Sequence, residues 1–112
     1  MVRGRLLARG LGFLAAAAVM ATLSTPARAD SAATYKAKCA MCHGADGKGE
    51  TPAGKKMGAH DFAAPDVQKQ SDADLAGVIA KGKNKMPGYE KSMSASDIKE
   101  MVAYIRTLAK GK

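Results

Sequence analysis

The sequence predicts an all-α fold, and three observations carry that expectation. Ser94 to Leu108 sets Ile98, Met101, Val102, Ile105 and Leu108 on one face at helical spacing, behind Ser94 and Asp97 in capping positions. Ser71 to Ala80 repeats the plan, with Ser71 and Asp74 as a capping box, Leu75, Val78 and Ile79 as an apolar stripe, and Gly82 as the stop. No convincing strand run flanks the two cysteines of the chain.

The chain opens with Arg3, Arg5 and Arg9, followed by the apolar, alanine-rich run Leu11 to Leu23 and then Ala27-Arg28-Ala29. A basic stretch, a short apolar run and a small-x-small triplet make a secretory signal, with cleavage expected before Asp30. The apolar run is shorter than the roughly 20 residues a membrane-spanning helix needs. An uncleaved leader acting as a membrane tether is the alternative. Residues 30–112 then form a single domain of 83 residues, 112 less the 29 of the leader. That size lies near the limit at which a polypeptide core suffices alone, and the sequence contains no Trp.

Net charge falls from +8 to +4 on losing Arg3, Arg5, Arg9 and Arg28, because 14 basic side chains then face 10 acidic ones. Thirteen of those bases are lysines, with Arg106 the sole arginine. Lysines without interleaved aromatics suit docking to an acidic protein face better than reading nucleic acid. Plain solvation of a surface is the competing account of them.

Asp30 and Ser31 are expected to cap a helix over Ala32 to Lys38, and Tyr35, four residues before Cys39, is expected to turn inward as a core residue beside the site. Next comes Cys39-Ala40-Met41-Cys42-His43. A Cys-x-x-Cys-His run in an exported chain is the attachment signature of c-type haem. On a helical turn the two sulfurs face the same way, so both can reach the vinyl groups along one porphyrin edge, while the next residue's imidazole is aimed beneath the ring at the iron. A structural zinc site would need four ligands at workable spacing, yet the only histidines are His43 and His60. A thioredoxin-like thiol pair wants a βαβ setting, and a Cys39–Cys42 disulfide would leave His43 without a role. One covalently bound haem c per chain is therefore the expected cofactor, supplying apolar bulk that the small core lacks.

Gly44, Gly47, Gly49 and Gly54 punctuate a polar loop in which Pro52 is the only rigid residue, and a carbonyl near Pro52 is the candidate acceptor for the second ring N–H of His43. Residues 55–70 show no clean period and read as a connector, with Phe62 turned inward as an anchor. His60 lies here, as an exposed or core-capping residue or, alternatively, a distal ligand. After Gly82 the chain runs Lys83-Asn84-Lys85-Met86-Pro87. A thioether is a soft ligand that pairs with histidine across a haem, and a proline fixes the backbone beside it, so Met86 is the expected sixth ligand. Met57, Met93 and Met101 read as core fillers. Lys81, Lys83 and Lys85 precede Met86 and are candidates for steering the exposed edge onto a partner.

These residues together resemble the class I c-type cytochromes, monohaem electron carriers that include mitochondrial cytochrome c and the small bacterial and algal forms. The likeness runs from Tyr35 through Cys39-x-x-Cys42-His43-Gly44, the glycine loop and Gly82-Lys83-x-x-Met86-Pro87 to Tyr104-Ile105-Arg106-x-Leu108. It implies a cytochrome c fold in which the first and last helices cross over a covalently bound haem, His43 and Met86 as axial ligands, and a partly exposed haem edge near the thioethers. The short connector over residues 55–70 departs from the family's pattern. The implied function is periplasmic single-electron transfer between redox complexes, as a monomer and without substrate chemistry. The alternatives are a small haem peroxidase or a haem-based sensor, either of which needs the sixth position open or displaceable.

Overall fold

A computed structural model describes residues 27–111, so the expected leader lies outside the described residues except for Ala27–Ala29. Six helices follow in order: α1 Ala27–Lys38, α2 Ala40–His43, α3 Pro52–Met57, α4 Pro65–Gln68, α5 Asp72–Lys81 and α6 Ala95–Lys110. No strand occurs among the described residues; the nearest approach is an isolated antiparallel bridge between Lys83 and Met86. None of these helices is long and apolar enough to cross a membrane.

α6 is the scaffold. Ser94 Oγ accepts from the Asp97 N–H at 3.0 Å while the Asp97 carboxylate accepts from the Ser94 N–H at 3.4 Å, which completes a capping box. Its apolar stripe buries Ile98, Met101 and Val102 against α1 and α5. On the α1 side the Tyr35 and Tyr104 rings lie 5.3 Å apart at 54°, so the first and last helices meet as the sequence predicts. α5 begins on Ser71, whose hydroxyl accepts from the Asp74 N–H, but no return bond from Asp74 completes the box. Gly82, with φ +81°, ends it.

The structure departs from expectation elsewhere as well, and α4 is a short helix within the stretch read as a connector. Asp30 and Ser31 do not cap α1: the helical backbone already begins at Ala27, an alanine-rich stretch that favours the helix, and Ser31 is buried inside it. Part of the glycine-rich loop is α3, which Thr51 caps by accepting from the Gly54 N–H, Pro52 opens at its first position and Gly58 closes in the left-handed region. Met57 is no core filler, being 48% exposed at the end of α3, whereas Met93 and Met101 are buried at 7% and 2%. Phe62 is buried as expected and completes the core with Tyr35, Ile79, Met93, Ile98, Met101 and Val102.

Candidate functional site

Cys39 and Cys42 stand on one turn. The backbone N–H groups of Cys42 and His43 both donate to the Cys39 carbonyl, at 3.2 and 3.0 Å, and the cysteines are unbonded to each other. A four-residue helix leaves its carbonyls without partners of its own, and neighbouring segments supply them. The Gly44 N–H takes the Ala40 carbonyl at 2.8 Å, and the Gly49 N–H takes that of His43 at 2.7 Å. The Thr51 hydroxyl lies 2.7 Å from the Met41 carbonyl oxygen and 3.0 Å from that of Cys42. The Tyr35 hydroxyl donates to the Gly44 carbonyl at 2.6 Å. α3 can lie against this turn only because residue 54 is glycine: a Cβ there would overlap the Cys42 carbonyl oxygen. Thr51 is thus a supporting residue that sequence reasoning missed, although a Thr-Pro pair is a legible helix start.

The facing wall is the loop after α5. Lys83 and Met86 exchange both N–H···O bonds, at 3.1 and 2.9 Å, around Asn84, whose φ of +54° an asparagine tolerates better than most residues. Tyr89 and Glu90 N–H groups bond back to the Ile79 and Ala80 carbonyls of α5. The Tyr89 hydroxyl then donates to the Lys38 carbonyl at 3.2 Å, joining the methionine loop to the residue before Cys39. Tyr89 also lines the site, a placement that nothing in its local sequence signals.

Between these walls lies a cavity of about 270 Å³ whose lining includes Cys39, Cys42, His43, Leu75, Val78, Met86 and Tyr89. Lys83 and Lys85 stand on its lining as well, but Lys81 does not, remaining exposed at the end of α5. His60 reaches the rim with its side chain 69% exposed, and its Nδ1 lies 3.5 Å from an Asp66 carboxylate oxygen. Met57 also reaches the rim, with its sulfur 4.0 Å from that of Cys42.

Burial sets the chemistry of the donors. It lowers the His43 pKa, favouring the neutral imidazole that a metal requires, and raises that of the Cys39 thiol against the opposing pull of Lys38. His43 Nδ1 is buried with no hydrogen-bond partner, so the expected bond to a carbonyl near Pro52 is not formed: Pro52 instead opens α3. What lies against the His43 ring is Phe62, stacked at 4.7 Å and 30°. Two sulfurs on one turn, an imidazole with Nδ1 turned into the protein and a thioether on the facing loop form a soft N/S donor set around an apolar space.

The family model described as cytochrome c oxidase, cbb3-type, subunit III matches residues 26–105. The chain belongs to this family of c-type cytochromes. A solved structure described as KustC0563 c-type cytochrome is similar to it at 29% identity and a TM-score of 0.65, covering 70% of this chain and 95% of that one. No curated protein sequence matches. The cytochrome's cofactor is covalently bound haem c, and the donor set and apolar cavity fit that group. Electron transfer, rather than enzymatic turnover, is the general role of c-type cytochromes, which typically work outside the cytoplasm.

Tyr35 gives this site a pH signature. Burial, chiefly, pushes its phenol pKa upward, so the folded cytochrome holds a proton that the unfolded chain releases from about pH 10. Stability should be fully present below that point and decline as pH rises through it. Tyr35→Phe should lower stability by about 1 kcal/mol near neutral pH and flatten the alkaline decline, read from urea midpoints between about pH 8 and 11.

Proposed function

We propose that this cytochrome is a periplasmic single-electron carrier, with residues 1–29 a cleaved signal and 30–112 the working domain. Cys39 and Cys42 would hold the haem through thioethers, and His43 and Met86 would supply the nitrogen and sulfur ligands of its iron. The observation that supports this most is that the paired cysteines, the buried imidazole and the Met86 loop all line one cavity. When bound, the haem supplies an iron that takes up and gives back one electron. The chain's part is to keep the donors fixed and neutral. Burial keeps His43 unprotonated, the Lys83–Met86 turn and Tyr89 hold the methionine wall, and Leu75 and Val78 keep water from the site. With His43 and Met86 both neutral, the chain would offer the bound group the same donors in either of its charge states.

Partners follow from the rim. Lys83 and Lys85 beside the cavity, with Lys81 exposed nearby in sequence, suit redox proteins with acidic docking faces. The family's description names an oxidase subunit, which favours a membrane oxidase as one of them.

The mass of the natively exported protein should equal residues 30–112 plus one haem; a colourless product, or one weighing only its amino acids, overturns the reading. Met86→Leu should turn a ferrous protein inert to carbon monoxide into one that binds it readily, and ready binding by the unaltered protein would remove Met86 from the iron. Electron delivery to an acidic partner should slow several-fold between about 10 and 150 mM salt, and a salt-independent rate would discard the docking claim.

A further inference from the structure

His43 Nδ1 is buried and lacks a hydrogen-bond partner, so nothing polar sets the rotation of its ring. A metal-bound imidazole is ordinarily oriented by the group its second nitrogen bonds. Here the contact made by the ring is the Phe62 face at 4.7 Å, and Phe62 is itself gripped from several directions. Its N–H donates to the Gly47 carbonyl at 2.9 Å, and its ring meets Tyr35 edge-on with centroids 6.3 Å apart. Gly47 leaves it room, since a Cβ there would lie 2.6 Å from Phe62 Cδ2. The Phe62 carbonyl accepts from Gln68 Nε2 at 2.6 Å.

Gln68 is held in turn from α6. Its Oε1 accepts from an Arg106 terminal nitrogen at 3.4 Å, while the other terminal nitrogen donates to the Gln70 carbonyl at 2.7 Å and Nε bonds Asp72 Oδ1 at 2.5 Å. The guanidinium is a rigid planar fork, and its three nitrogens engage the end of α4, the α4–α5 link and the first residue of α5. A lysine ammonium cannot reproduce that fork. Both ends of the Gln68 amide are used, one toward Arg106 and one toward the Phe62 carbonyl, so the amide carries the grip of α6 to the backbone of the residue whose ring faces His43.

We propose that Phe62, Gln68 and Arg106 are positioning residues for His43: the imidazole plane is set by ring stacking on Phe62, which the Arg106–Gln68 clamp holds in place. This rests on His43 being the iron ligand of the preceding reading. In the ferric protein, unpaired spin spreads over the porphyrin according to the plane of the axial imidazole, so the proton shifts of the four haem methyl groups report that plane without any turnover being measured.

The experiment compares those methyl resonances in the ferric holoprotein and in Phe62→Leu, Gln68→Leu, Arg106→Lys and Ile79→Val, the last changing a core side chain that takes no part in the hydrogen bonds and ring contacts named above. The methyl pattern should change most in Phe62→Leu and in the same sense, less strongly, in Gln68→Leu and Arg106→Lys. Ile79→Val should leave it within a small fraction of those shifts at equal or greater loss of thermal stability. Should Phe62→Leu fail to accumulate, the Gln68 and Arg106 variants decide the matter alone. Unchanged methyl patterns in the folded variants, or shifts that follow stability in all four, overturn the proposal while leaving His43 ligation intact. Absence of shifted methyls in the unaltered protein overturns the ligation, and this proposal with it.

Discussion

The site depends on a short turn having its carbonyls satisfied from outside itself. Each carbonyl from Cys39 to Gly44 has a donor within reach, those of Met41 and Cys42 sharing the single Thr51 hydroxyl proton, and several of the donors belong to segments that must fold around the turn: Gly49, Thr51 and Tyr35. A buried carbonyl without a partner costs on the order of 1–3 kcal/mol, which is large against the marginal stability of a small domain. The spacing of the two sulfurs and the direction of the imidazole are therefore properties of the surroundings as much as of the pentapeptide. Gly54 belongs to the same requirement, because it lets the Thr51 hydroxyl come within reach of two of those carbonyls.

The two walls differ in construction. The cysteine wall is a helical turn buttressed by α3, whereas the methionine wall is an irregular loop tied to α5 by backbone bonds and to α1 by one phenol. α6 touches neither cysteine segment nor methionine loop as a helix pair, yet it positions both through α1 and α5. Arg106 extends that influence to the connector beneath His43.

What could be read from the residues was what is local. α5 and α6 announce themselves by period and cap, and Cys39 to His43 by spacing, because the physics of each lies within a few positions. α3 escaped because the glycines around it mask the Thr51-Pro52 start, and because Gly54, read as a loop residue, is glycine for packing. Met57 reads as a core residue by type alone, but the short helix that carries it ends at the rim. The expected His43 to Pro52 contact followed a general rule about bound imidazoles, and this chain places a ring there instead. The links Tyr89 to Lys38 and Arg106 to Gln70 join positions 51 and 36 apart, and no local pattern encodes such partners.

α6 supplies three of the seven buried core side chains and meets both α1 and α5. It also follows the other described helices in chain order. A nascent chain in which α6 has not yet emerged lacks the layer that covers Tyr35 and Ile79, so the cysteines stay accessible until that helix has been made.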